Sequence, residues 1–342
     1  RRRRPGAARR RPAHDPARDP PPRDGGTVPR FVTRRLGALA ATLLVSSFLI
    51  YAAMYAAPGT PESFLVQGRT VSPGVLASIR AQYGLDDPFL LRYWHWLTGV
   101  LGGDLGESLT TRQDVASLLV SRIPTTLWLT TYAAVLIVVF GVGAGVVAGL
   151  RGGALDTGVL LGSSVGFAIP TFFAAVLLMS VFSVTLGWFP VFGAGSGLPD
   201  RVLHLTLPAV ALALPAAAVV ARITRTAVVE ERDAEHVSVA LARGVPWRVV
   251  ARRHVVRNAM LPVTTIVGVN IAALVAGAAV VEHAFTLDGV GALLINAVQQ
   301  KDFAVVQAVA LVLVAVFGVV NLVVDTLYAV IDPRVQLGGE SA

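Results

Sequence analysis

Gly162-Ser163-Ser164-Val165-Gly166 fits the Gly-x-Ser-x-Gly pattern by which hydrolases present a nucleophilic serine on a strand-to-helix turn. Here the pattern sits inside a long apolar run, where small residues serve helix packing, so Ser164 is expected to be structural. The six histidines are scattered, and none forms the i, i+4 pair with glutamate that zinc proteases use. His204 and His283 fall near the ends of apolar runs and read as interfacial residues. The absence of cysteine removes disulfides, thiolate metal sites and thiol nucleophiles. The single lysine, Lys301, lies between Gln300 and Asp302, so the phosphate-binding Gly-Lys-Ser/Thr loop is absent as well. No catalytic residue, metal ligand or cofactor site is therefore assigned to this chain. What remains is a set of polar residues in apolar surroundings: Asn270, Glu282, Asn321 and Asp325. Charges at membrane depth face a cavity or a partner. Glu282 and Asp325 lie close enough to the ends of their runs that both are expected to reach water.

The elements that must position these residues follow from composition. Of 342 residues, 54% are hydrophobic and only 15% charged, against about 25% in a soluble domain. A bilayer core of about 30 Å needs about 20 apolar residues per helix. Six runs qualify: Leu36–Ala57, Thr125–Leu150, Val159–Leu186, Leu205–Ile223, Leu261–Val281 and Ala304–Ile331. The fold class is thus an all-α integral membrane protein with six transmembrane helices. Gly141, Gly145 and Gly149 make a smooth stripe at four-residue spacing that lets another helix approach closely. Pro170 and Pro215 are expected to kink their helices or to mark packed sites.

Residues 1–35 hold twelve arginines and much proline, a composition expected to stay disordered. Such a cluster is able to attract RNA or anionic lipid. The simpler reading, adopted here, is a solvated tail whose charge fixes topology, with no nucleic-acid partner. A signal peptide is not expected, because the apolar run that follows is too long and has no small-residue cleavage pattern. With the N-terminus inside, 22 basic residues face the cytoplasm and seven (Arg69, Arg80, Arg92, Arg112, Arg122, Arg201 and Lys301) face outward. This bias puts both termini, including the short tail 335–342, in the cytoplasm.

The connections are uneven. Segment 58–124 is long and external, with amphipathic character at Val75, Leu76, Ile79 and Tyr83 and an interfacial aromatic group at Tyr93, Trp94 and Trp96. Segment 284–303 is apolar yet too interrupted by Asp288, Gly289 and Gly291 to span, which suggests a short external helix or a re-entrant scoop. Val290, Leu293, Leu294 and Val298 recur at helical spacing and predict its buried face, with the glycine pair permitting a sharp turn into it. The main cytoplasmic loop, 224–260, carries Glu230, Glu231, Asp233 and Glu235 before Arg243, Arg248, Arg252, Arg253 and Arg257. Acid before base complements a helix dipole. A short surface helix ended by Gly244 makes a rigid peg that fits a groove in another protein.

That loop reads Asp233-Ala-Glu-His-Val-Ser-Val-Ala-Leu-Ala-Arg-Gly244, then Pro246-Trp247-Arg248, then Arg257-Asn258-Ala259-Met260-Leu261-Pro262. It resembles the cytoplasmic coupling motif of ABC-importer permeases, in the version of the dipeptide/oligopeptide (peptide/nickel) transport family. Four further landmarks match in order: Arg34-Arg35; Ala57-Pro58-Gly59-Thr60-Pro61; Gly84-Leu85-Asp86-Asp87-Pro88 with Gly103-Asp104-Leu105-Gly106; and Asp325 to Tyr328 followed by Asp332-Pro333-Arg334. The resemblance runs from Arg34 to Arg334 and leaves the arginine-rich tail outside. Where the general motif has Glu-Ala-Ala, this chain has Ser238, Val239 and Ala240, so only the last Ala and Gly244 match.

The resemblance implies a type I importer permease in a prokaryotic cell membrane. It implies pairing with a second, similar permease subunit, two cytoplasmic ATPases that bind ATP and Mg, and an extracytoplasmic peptide-binding protein. Glu235, His236, Val237, Ser238, Ala240, Leu241, Arg243 and Gly244 become candidates for ATPase coupling. Asn270, Glu282, Asp288, Gly289, Gly291, Asn321 and Asp325 become candidates for the pathway and its external gate, with segment 284–303 closing the resting cavity and moving during transport. Permeases of the same family import nickel or other small solutes. An ion-coupled secondary transporter would place ionisable groups at the bilayer midplane in broken, repeated helices, a pattern absent here.

Overall fold

The computed structural model describes residues 27–56, 74 and 87–331. Among the described residues the chain is helical, without a strand; the only bridge pairs Glu107 with Asp114. The helices are α1 Thr27–Ala56, α2 Phe89–Leu101, α3 Val115–Arg151, α4 Gly153–Ala168, α5 Thr171–Thr185, α6 Leu198–Arg232, α7 Glu235–Ala242, α8 Trp247–Ala284, α9 Val290–Gln300 and α10 Phe303–Ile331. Five of them (α1, α3, α6, α8 and α10) are long and apolar enough to cross a membrane, and α4 with α5 supplies a sixth if the pair is one broken span.

The break falls at Pro170, as its position predicts. Proline pushes the preceding residue, Ile169, into extended backbone, and the two halves diverge by 101°. Pro215 behaves otherwise. Helix α6 runs through both Pro208 and Pro215 without interruption, so these prolines mark packed sites rather than breaks.

Several boundaries differ from the apolar runs because caps, not hydropathy, end helices. Asp114 accepts a hydrogen bond from the Ser117 amide at 2.9 Å and starts α3 at Val115, leaving Pro124 inside the helix. Helix α1 begins at Thr27, so residues 27–35, expected in a disordered tail, are helical. Residues 1–26 and the amphipathic positions Val75, Leu76, Ile79 and Tyr83 lie outside the described residues.

Helix α6 is the hub and packs against α3, α4, α5 and α8. The glycine stripe makes the tightest of these contacts. A Cβ on Gly145 would sit 2.5 Å from the Ala221 carbonyl oxygen, and one on Gly149 would sit 2.6 Å from Val228. At the far side α1 packs on α10 and on α2, where Tyr93 lies 5.3 Å from Phe48 and 5.6 Å from Tyr51, ring to ring. Trp96 joins that group, while Trp94 is exposed, as an interfacial aromatic would be.

Candidate functional site

Three places along the bundle bring the candidate residues together: the loop between α6 and α8, a cavity at mid-height, and the clamp around α9.

The loop is almost entirely helix. Helix α6 continues to Arg232 and α8 starts at Trp247, so only α7 and two short links separate them. Val237 is the single buried residue of α7, and it inserts among Val228, Val250, Val255 and Val263. The other candidates lie outside: Glu235, His236, Ser238, Leu241, Arg243 and Gly244 are exposed, and Ala240 is half-buried. Val239 and Leu241 are each 42% exposed, an apolar face turned away from the bundle. The helix closes on a Schellman motif. Gly244 adopts φ +78°, its amide donates to the Leu241 carbonyl at 2.9 Å, and the Val245 amide donates to the Ala240 carbonyl at 3.2 Å. Val245 and Ala240 pack on the same valine cluster, which supplies the apolar contact that accompanies this motif. His236 reaches Glu231 at 3.5 Å, so α7 is held to the end of α6 as well.

Sequence reading missed the supports beneath this peg. Arg225 on α6 grips Asp156 in the first turn of α4 with two hydrogen bonds of 2.6 Å. Arg232 donates to the Gly149 carbonyl at the end of α3 at 2.9 Å. The signal available was Asp156, an acidic residue in an otherwise apolar stretch.

At mid-height a cavity of about 190 Å³ opens beside the α4–α5 break. Phe167, Thr171, Pro215, Asn270, Leu274 and Gly277 contribute to its wall. Asn270 donates its amide back to the Ile266 carbonyl at 2.8 Å. Asn321 makes the same local bond to Phe317 within α10 and does not line the cavity. Asp325 belongs to α10, and its side chain lies outside the described residues.

At the end of α8 opposite α7, Glu282 corrects the expectation that it reaches water. It is completely buried. One carboxylate oxygen accepts from the Thr126 hydroxyl at 2.6 Å, and the other accepts from the Ala292 amide at 3.0 Å. Thr126 in turn accepts from the Val290 amide at 2.9 Å, so the first turn of α9 is pinned to α3 and α8 together. A second carboxylate, overlooked in the sequence, holds the other end. Asp302, also buried, accepts from the Ser108 hydroxyl at 2.6 Å and from the Thr110 amide at 3.2 Å.

Gly289 and Gly291 serve this clamp by their lack of a side chain, not by a turn. Gly289 is extended, at φ −108°. A Cβ there would overlap the Glu282 carboxyl group, and one on Gly291 would overlap the backbone of Ala279. The buried face of α9 is accordingly Val290, Gly291, Ala292, Leu293 and Ala297. Leu294 is half-buried, and Val298, expected inside, is 55% exposed. Asp288 stands exposed at the rim, 3.3 Å from Arg122.

Ser164 and its neighbours settle as expected: the motif is mid-helix in α4, and the Ser164 hydroxyl donates to the Leu160 carbonyl at 2.9 Å.

A polytopic helical bundle with a helical peg at one end and a clamped short helix at the other fits a transport permease. The chain belongs to the family described as binding-protein-dependent transport system inner membrane component, which matches residues 141–337; residues 28–130 match the companion N-terminal family. These are permeases of ABC importers of the peptide/nickel type, non-catalytic subunits whose ATPase resides on separate chains. Among curated relatives, the glutathione transport system permease protein GsiC of Salmonella typhi is 37% identical over 307 residues, covering 90% of this chain and 98% of that protein. The Salmonella choleraesuis (strain SC-B67) and Escherichia coli (strain K12) proteins of the same name show the same identity and coverage.

Proposed function

We propose that this chain forms half of the membrane pathway of an ATP-driven importer for small peptides, with α7 as the element that engages an ATPase subunit. The observation that carries this reading is the form of α7: a two-turn helix with one buried anchor, an exposed apolar face and a rigid Schellman end at Gly244. A peg so built transmits a push without melting, and Val239 and Leu241 are left exposed among the described residues.

A di- or oligopeptide substrate fits the similarity to a glutathione permease, since glutathione is itself a short peptide. A second permease subunit, of the kind with which importers of this family work, is proposed to complete the pathway beside the cavity lined by Asn270. ATP and Mg then belong to two ATPase subunits on the side of α7, and a binding protein delivers substrate at the side of α9. That assignment makes the α7 end cytoplasmic and the two termini cytoplasmic with it. Asn270 is proposed to contact passing substrate. Glu282, Gly289 and Gly291 with Asp288 are proposed to set the resting position of α9 at the external mouth.

Purification of the tagged chain from native membranes tests this directly. An ATPase and a second permease should co-purify, and reconstituted vesicles carrying the whole set should accumulate labelled glutathione or dipeptides only with ATP inside the ATPase compartment. Recovery of the chain alone, with uptake driven by an ion gradient, would overturn the importer reading.

A further inference from the structure

Where α3 and α8 leave the apolar layer, on the α7 side, the structure contains a second and larger cavity, of about 380 Å³. Arg151 in the last turn of α3 faces it together with Arg248 and Arg252 from the start of α8, and Leu150, Trp247 and Val256 provide its apolar wall. No acidic residue lines it. Among the described residues none of the three guanidinium groups has an ion-pair or hydrogen-bond partner, whereas nearby Arg225 and Arg232 are both engaged. Arg151, Arg248 and Arg252 are all exposed, so the cluster presents its charge outward, and an anion seated between them would relieve their mutual repulsion.

The surroundings say which anion. Trp247 is 41% exposed, and the neighbouring apolar residues Val147 and Val249 are 42% and 38% exposed, so the charged cavity opens onto lipid-facing surface. Tryptophan with an apolar body and a polar edge favours that boundary. The wall also includes a π-helical stretch, residues 251–256, a wider turn than the α-helix on either side of it, which contributes Ala251, Arg252 and Val256 to the lining. A soluble anion would use only the charged half of this site. A phospholipid uses both halves, phosphate among the arginines and acyl chains along the apolar wall.

We propose that this cavity binds the phosphate headgroup of an anionic phospholipid. The proposal rests on α3 and α8 as membrane spans and not on the transported substrate, so its test is separate from uptake. The purified complex is reconstituted in phosphatidylcholine vesicles containing about one-fifth phosphatidylglycerol, with brominated acyl chains on one lipid or the other. The chain has five tryptophans, so the Trp247 signal is taken as the difference from Trp247→Phe. Brominated phosphatidylglycerol should quench that signal at a several-fold lower mole fraction than brominated phosphatidylcholine. Arg151→Gln, Arg248→Gln and Arg252→Gln should each reduce the preference about fivefold. Arg253→Gln, next in sequence but off the cavity wall, should leave it unchanged.

Equal quenching by the two lipids in the wild-type protein overturns the proposal without any variant having to fold. Loss of the preference on adding inorganic phosphate would reassign the cavity to a soluble phosphate. An unchanged lipid preference in the arginine variants, coupled with loss of the co-purifying ATPase, would give the surface to that subunit instead.

Discussion

Gly244→Val changes the one residue whose backbone geometry closes α7. Gly244 sits at φ +78°, and a Cβ built there meets nothing within 4 Å. The Cβ itself is not crowded, so the main cost is the intrinsic one of holding an L-residue in left-handed backbone, about 1–2 kcal/mol. That corresponds to a roughly 5- to 30-fold loss in the population that keeps the Gly244–Leu241 and Val245–Ala240 bonds together. Asparagine visits the same region more readily than other side chains and should cost less. Insertion should be spared, since α7 is fixed to the bundle by Val237 and the loss is confined to its free end. The assay is the amount of ATPase retained on the tagged chain, followed by ATP-dependent uptake in vesicles. The expected order is Gly, then Asn, then Ala, then Val. Val equal to wild type, or Asn failing as badly as Val, would show that backbone direction at Gly244 is not what the partner reads.

The remaining expectations concern the bundle and the clamp. Gly145→Ala forces a Cβ to 2.5 Å from Ala221 O and should destabilise by about 1–3 kcal/mol, whereas Gly143→Ala, in open space on the same helix, should gain about 1 kcal/mol; thermal unfolding in detergent giving the two variants equal midpoints would remove the close-contact reading. Glu282→Ala leaves the Thr126 hydroxyl and Ala292 amide without an acceptor, a penalty of about 1–3 kcal/mol each, and Glu282→Gln should cost less. Hydrogen exchange in α9 should accelerate in the Ala variant, and unaltered protection there would mean the carboxylate does not hold the helix. Reporter fusions at Arg151 and Gly244 should read cytoplasmic and those at Gly103 and Gly195 external; an external signal at Gly244 would sink the coupling role. Cysteine at Asn296 or Gln299, both exposed on α9 in a chain without native thiols, should label from outside at a rate that changes when ATP is trapped on the ATPases. Labelling indifferent to nucleotide would leave α9 a fixed strut.

Much of the fold is legible because lipid imposes a crude rule: a span needs an apolar run, and nothing else in the chain has one. The same crudeness hides the inside of the bundle. When both lipid and core are apolar, a large aliphatic residue does not mark a packed face, and small residues do so better. Val298, apolar and so expected inward, points out, while Gly291, Ala292 and Ala297 make the contact. The glycine stripe of α3 was readable for that reason, being small residues at regular spacing. Gly244 was readable too, since a glycine just after a short helix has one common use, as its left-handed cap. The clamp was not: Asp302 and Ser108 are 194 positions apart, and Glu282 and Thr126 are 156 apart. Asp302 beside Lys301 looks like a solvated pair, and only the folded chain shows the carboxylate turned inward to cap two loop donors.

Helix α6 passes unbroken from Leu198 to Arg232, 35 residues and so about 52 Å long, with Pro215 at its midpoint. Proline removes one rung of the hydrogen-bond ladder there, and Pro208 removes another just above. Below Pro215 no rung is missing, and the lower half is bolted to its neighbours through Gly145, Gly149, Asp156 and the Gly149 carbonyl. The lower half is thus an unbroken arm about 26 Å long, with α7 attached at its tip and one hydrogen bond fewer at its top. A displacement of one helical pitch at the tip, about 5 Å, swings such an arm through roughly 12°. Pro215 also lines the cavity beside Asn270, so a tilt of this arm would change the angle of that wall more than its place. A substrate held there would feel the walls tilt around it while its own position along the bundle stayed fixed.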